Sequence, residues 1–154
     1  MKNIISLIDA NVIINFITKR EDPYKDACFE VMKLCAENAF EGYIAFHSLS
    51  IIWYVIKKQE REEKARAWLN SICDILTVTG ATQEQVKEAI NNSDFRDFED
   101  CLQDECAVYA NAEYIVTCNI KDFQYAKTSV VTPDDFVKII TDKRLKKSEG
   151  KKGQ

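Results

Sequence analysis

A single histidine, His47, stands in the whole chain, and that scarcity removes several chemistries at once. Imidazole-based ribonuclease mechanisms and Ser-His-Asp triads both depend on positioned histidines, so His47 reads as structural. A zinc site is disfavoured as well. The six cysteines, at 28, 35, 73, 101, 106 and 118, include no C-x-x-C spacing. They sit where small buried hydrophobes sit, and the expectation is reduced thiols in a cytoplasmic protein. No apolar run approaches the ~20 residues that span a bilayer, and the N-terminus has neither a basic lead nor a cleavage signature. A chain with no membrane association and no export is therefore expected. The two prolines and four glycines form no linker, and no Asn-Gly or Asp-Gly pair is present to close a hairpin.

With 154 residues, 46% of them hydrophobic, the chain can bury one sizeable core. The net charge of −4 is unevenly spread: from Lys143 onward there are six basic residues against Glu149 alone. This terminus carries +5 and the remainder −9. Its one apolar residue cannot order it by burial, so a single domain over 1–142 followed by a flexible basic tail, 143–154, is expected. That tail reads either as an electrostatic arm for nucleic-acid phosphates or as a solubilising end.

The pattern alternates short apolar runs with helical periodicity. Ile4 to Ile8 reads as a strand, followed at once by a second apolar segment from Val12 to Ile17. Asp22 and Pro23 open a helix running to about Phe40 and stopped by Gly42. Tyr43 to Phe46 is the next strand, and Ser48 begins an apolar helix. Residues 61–74 form an amphipathic helix, Leu76 to Thr79 a strand, and Thr82 with Gln85 a capping box. Asp97 to Asn111 is helical, Tyr114 to Cys118 and Val130–Val131 are strands, and a last helix starts at Thr132 or Pro133. Strands separated by helices predict a three-layer α/β/α domain with a mostly parallel central sheet of about five strands.

Asp9 falls between two apolar segments, where an ionised acid costs several kcal/mol unless it is solvated, paired or metal-bound. In open parallel sheets ligands bind beyond the carboxyl ends of the strands, where Asp9 and Asn119 both fall. A third acidic source is the segment Asp94, Asp97, Glu99, Asp100 and Asp104 around the start of the next-to-last long helix. Asp97, Asp100 and Asp104 share a helical face there, opposite Phe98, Leu102, Cys106 and Tyr109. Carboxylates and an amide without imidazole or thiolate partners suit a hard divalent cation, which points to phosphoryl or phosphodiester chemistry.

Three segments then carry a resemblance: Ile8-Asp9-Ala10-Asn11-Val12-Ile13, Asp97-Phe98-Glu99-Asp100-Cys101-Leu102-Gln103, and Thr117-Cys118-Asn119-Ile120-Lys121-Asp122-Phe123. In order and spacing they resemble the signatures of PIN-domain nucleases, and Val131 to Phe136 is similar to the segment that closes that family's sheet. The resemblance spans about residues 1–140. It implies a PIN-like, Rossmann-like fold, a Mg²⁺ or Mn²⁺ site, and hydrolysis of RNA, in many such proteins as the toxin of a toxin–antitoxin module. An antitoxin is the partner this implies; separately, the apolar helix after Ser48 and the segment Cys28 to Ala39 are apolar enough to serve in a homodimer or an antitoxin groove, and a core explains them equally well. Carried over, Asp9, Asp100 and Asp122 are the metal-binding and catalytic acids, with Asn11, Asp97, Thr117 and Asn119 supporting them.

Arg96 and Lys121, with Lys19, Arg20 and Lys127, are candidate phosphate-binding residues. The family's second acid corresponds to Ile51 here, a departure that bears directly on turnover. Two rival readings stay open. One is a degenerate PIN-like domain that binds RNA or a protein without cutting. The other is a phosphatase with Asp9 as nucleophile, in which Asn11 occupies the place of the general acid.

Overall fold

The computed structural model describes residues 2–153. Its sheet comprises β1 (Ile5–Ile8), β2 (Glu41–Ala45), β3 (Thr77–Thr79), β4 (Tyr114–Val116) and β5 (Ser129–Val131). The strands lie in the order β3-β2-β1-β4-β5, and every pairing is parallel. The helices are α1 (Ala10–Thr18), α2 (Lys25–Ala36), α3 (Phe46–Lys57), α4 (Glu62–Ile75), α5 (Gln83–Asn91), α6 (Phe98–Tyr109) and α7 (Pro133–Lys152). The expected three-layer α/β/α arrangement is the one observed.

Alternation along the strands builds the two layers. Ile8, Ile44 and Val116 point into one core together with residues of α1, α2, α3, α4 and α7, while Leu7, Ala45 and Ile115 point to the opposite face beneath α6. Both faces of β1 are thus apolar, as a central parallel strand requires. In the larger core Phe40 meets Phe136 edge-on, with ring centroids 4.8 Å apart.

The order in which strands are added across the sheet reverses between β1 and β4. From β1 the chain proceeds outward to β2 and β3, and afterwards returns to add β4 and β5 on the other side. The carboxyl ends of β1 and β4 therefore border a topological switch point, the crevice where open sheets bind ligands. Asp9 follows β1 directly, its N–H donating to the Val116 carbonyl at 3.0 Å.

Several local expectations are corrected. The segment after Asp9 is helix α1, and Asp9 is its N-cap, accepting from the Ala10 N–H at 2.7 Å. The acid thus has a structural use beyond any chemistry, because a helix N-terminus favours negative charge. Asp22 does not cap α2 directly; its Oδ1 accepts from Tyr24 N–H and the helix begins at Lys25. Nor does Gly42 end that helix. Asn38, with φ 60°, makes the left-handed exit, and Gly42 lies within β2.

Gly42 is required by a close approach. A Cβ there would stand 2.5 Å from both Cys35 Sγ and Leu76 Cδ2, which are themselves buried. Gly42→Ala is expected to destabilise the fold by about 1–3 kcal/mol through overpacking. A urea midpoint equal to that of the wild type would refute the close-packing account.

Residues 143–152 continue α7 as helix. The first turns are held by buried Phe136 and Ile140, so nucleation is already accomplished, and Lys, Arg, Leu and Glu propagate a helix readily. Lys143 donates to the Lys2 carbonyl at 3.1 Å, and Arg144 pairs with Glu37 at 3.2 Å. Lys151 and Lys152 lie in the last turn, where the helix dipole favours cations. Among the described residues, no helix is long and apolar enough to cross a membrane.

Candidate metal centre

The acids chosen from the sequence converge at the switch point. Asp9 ends β1, Asp97 and Asp100 come from the start of α6, and Asn119 and Asp122 come from the turn and short 3-10 helix (Ile120–Phe123) after β4. Asp9, Asn11, Asp97, Asp100, Asn119 and Asp122 all line one recess of about 230 Å³. Glu99 and Ile51 line it too. No lysine or arginine is among the lining residues.

Asp9 is 5% exposed and is held by a fixed set of donors. The Thr117 hydroxyl donates to its Oδ2 at 2.8 Å and Asn11 Nδ2 donates to the same oxygen at 3.1 Å. Gln103 Nε2 lies 3.3 Å from Oδ1, which also receives the Ala10 N–H. Thr117 is fully buried, and its oxygen accepts from Asn119 N–H at 3.0 Å. The Asn11 amide oxygen accepts from Cys118 N–H at 3.2 Å, which ties α1 to the end of β4. Thr117 therefore orients Asp9 from beneath the recess, and Asn11 both orients it and lines the recess itself.

Electrostatics record the crowding of acids. Burial raises the Asp9 carboxyl to about 6; the Thr117 hydrogen bond opposes this, while the charge of Glu99, and less that of Asp122, adds to it. Burial likewise raises Asp100 to about 7, reinforced by Asp9, Glu99, Asp97 and Asp122. Glu99 is raised by burial as well. The group thus carries several mutually repelling acids without a cation to neutralise them.

Such a donor set fits a hard divalent ion held by few carboxylates and completed by water, the habit of Mg²⁺. Among the described residues no three His, Cys, Asp or Glu side chains form a ready-made cage for a metal. The fit is therefore to an open, water-rich site and not to a closed structural one.

Three assignments from the sequence change. Asp104 does not join the recess: it is 2% exposed and accepts from Lys127 N–H at 2.8 Å and Thr128 N–H at 3.1 Å. The supposed apolar face of α6 is also rotated, since Phe98 and Tyr109 are about half exposed while Cys101, Gln103, Asp104, Glu105 and Cys106 are buried. Polar residues can face inward there because the neighbouring backbone and site supply partners. Lys127 is engaged elsewhere, by Glu105 at 2.9 Å and Glu88 at 3.3 Å.

Arg96 is exposed just before Asp97, outside the recess lining. Lys121 lines an adjoining cavity of about 430 Å³ with Asp122 and Asn119. Arg20 donates to Asn15 Oδ1 at 2.6 Å, and Lys19 adopts the left-handed conformation at the end of α1.

Sequence pattern marks Glu99 only as one of an acidic run and Ser48 as a helix start, and does not single out Gln103; in the structure α3 begins at Phe46 and Ser48 is buried within it. Gln103 is fully buried and bridges Asp9 to the Ser48 hydroxyl, 2.6 Å away. Helical spacing was the available signal, since Gln103 stands three residues after Asp100 and four after Glu99. Beneath the site, Cys28 Sγ lies 3.8 Å from Cys118 Sγ, and these cysteines, like the other four, are free thiols.

A parallel sheet with an acidic recess at its switch point defines the class as an α/β protein with carboxylates gathered at its ligand-binding edge. The chain belongs to the PIN domain family, whose model matches residues 6–121. It is similar in fold to VapBC2 from Rickettsia felis, solved bound to a DNA fragment from their promoter, with 20% identity and a TM-score of 0.65 over 84% of this chain and 98% of that one. VapBC-1 from nontypeable Haemophilus influenzae is similar over 85% of this chain and 99% of its own, with 15% identity and a TM-score of 0.63. PAE2754 from Pyrobaculum aerophilum shares 13% identity over 90% of this chain and 98% of its own, with a TM-score of 0.59. No curated protein matches the chain.

Proposed function

We propose that this PIN-domain protein is a Mg²⁺- or Mn²⁺-dependent endoribonuclease and the toxin of a toxin–antitoxin pair. The observation that carries the reading is the gathering of Asp9, Asp100 and Asp122 around one recess at the switch point, with no basic side chain lining it. A bound divalent ion would lower the pKa of an attacking water and neutralise charge on the scissile phosphate. Asp9, fixed by Thr117, Asn11 and Ala10, would hold that ion directly, and Asp100 and Asp122 would complete its shell through oxygen or water.

Asp97 accepts from Glu99 N–H at 2.8 Å and so sets the entry of α6 that places Asp100. Lys121 and Arg96, both exposed beside the acids, would meet RNA phosphates, and the basic last turns of α7 would add unspecific attraction. The VapBC likenesses support an antitoxin as partner. Exposed Phe29, Phe46 and Tyr54 are apolar surface that an antitoxin or a second copy would cover.

The test is cleavage of single-stranded RNA by the purified chain. Cleavage is expected with Mg²⁺ or Mn²⁺, to be abolished by EDTA and restored by added metal. Equal cleavage in EDTA would overturn the mechanism. The degenerate reading is favoured by one observation: Ile51 presents an apolar side chain to the recess where the family has an acid. On that reading no cleavage appears under any metal until Ile51→Asp is introduced.

A further inference from the structure

Position 51 leaves the recess one carboxylate short on the side formed by α3, and a different helix comes close to that side. Glu99 lies in the first turn of α6 and lines the same recess as Asp9, Asp100 and Ile51. Its Oε1 extends to 3.9 Å from Nε2 of His47. His47 stands on α3 four residues before Ile51, one helical turn and about 6 Å along the axis, on the same face. The Glu99 carboxylate therefore lies within about one helical turn of position 51, from which the family's second acid projects, and shares its recess.

We propose, building on the metal-dependent reading above, that Glu99 is a metal ligand of this chain and replaces the carboxylate absent at position 51. Its freedom to do so is visible in its surroundings. Asp97 is committed to the N-cap of α6, whereas Glu99 is paired with no lysine or arginine among the described residues. Its neighbour His47 does not bind it: Nε2 stands 3.9 Å from Oε1 and has no hydrogen-bond partner.

Gln103 supports the arrangement from behind. It is fully buried one turn after Glu99, its Nε2 faces Asp9 and Ser48, and its Oε1 has no partner. Ser48 in turn belongs to α3, so the amide ties the two helices that flank the missing acid. This packing holds α6 against α3 at the height where the substitution must occur.

The experiment is Mn²⁺ binding to the full chain by titration calorimetry, with near-ultraviolet circular dichroism as a check on the fold. Wild type, Asp9→Asn, Glu99→Gln and Glu99→Gln/Ile51→Asp are compared. Glu99→Gln is expected to weaken Mn²⁺ binding at least about tenfold, and the added Ile51→Asp to recover most of that loss. Wild-type affinity in Glu99→Gln overturns the assignment of Glu99 while leaving the metal site of Asp9 standing. A double variant that folds but stays as weak as Glu99→Gln overturns the replacement of position 51. Absence of Mn²⁺ binding in the wild type overturns both this proposal and the metal-dependent reading.

Discussion

Asp9→Asn is expected to lower metal-dependent RNA cleavage at least about 1,000-fold, the consequence of losing several kcal/mol of transition-state stabilisation when the ion loses its central ligand. The same substitution is expected to make the metal-free protein more stable at pH 8. The folded carboxyl titrates at about 6, above the 3.8 of an unperturbed aspartate, so the native state holds its proton more tightly than the unfolded chain does. Stability is thus complete below about pH 4, falls as the pH rises toward 6, and stays reduced above that. For a group 5% exposed the ionised state costs roughly 3 kcal/mol. Asparagine carries no charge to desolvate, and it can still accept from Ala10 and meet the Thr117 hydroxyl.

Melting temperatures at pH 4.5 and 8, without and with Mn²⁺, check this account. The variant should melt several degrees higher than wild type at pH 8 without metal, with about a third of that advantage at pH 4.5, where the unfolded carboxyl is already mostly ionised. Mn²⁺ should raise the wild type only, because a ligand stabilises by binding the native state. A variant that cleaves RNA at the wild-type rate would refute Asp9 as the central ligand. A stability difference independent of pH would refute the buried-charge account.

Phe136→Ala is expected to cost about 3–5 kcal/mol, the range for emptying a buried aromatic site. Phe136 is fully buried, meets Phe40 at 4.8 Å and Tyr114 at 6.1 Å, and anchors α7 to the larger core. The melting temperature should fall by about 10 °C for a chain of this length. The cavity lies remote from the recess, among α2, α7 and the starts of β2 and β4. Mn²⁺ binding measured well below the melting temperature should therefore remain close to wild type. A loss under about 1 kcal/mol would mean that the core collapses to fill the space, and the anchoring role would not stand.

Phe136 and Asp9 also divide what was readable in sequence from what was not. The strand at Ile4 to Ile8, the Thr82–Gln85 capping box and the Pro133 helix start are written in local periodicity and capping chemistry, and all three are present. Alternation of strands and helices without hairpin signals was enough for a parallel α/β sheet. Asp9, Asp100, Asn119 and Asp122 were legible because a charge beside an apolar strand is costly unless a cap, a partner or an ion uses it, and because three short motifs occur in family order.

What neighbours across the fold decide stayed hidden. The inward face of α6 carries Gln103, Asp104 and Glu105, which no hydrophobic periodicity selects, since their partners belong to other segments. The basic end of α7 has no apolar stripe to mark it as helix, and its helical turns follow those anchored by Phe136 and Ile140. By itself the sequence determined the fold class and which acids meet at the switch point, because periodicity, capping and desolvation act over a few residues. Only the tertiary structure decided that Thr117 and Gln103 hold Asp9, that Ile51 faces the recess and that Glu99 reaches toward α3. Those relations depend on the distance between chain segments far apart in sequence, which local chemistry does not encode.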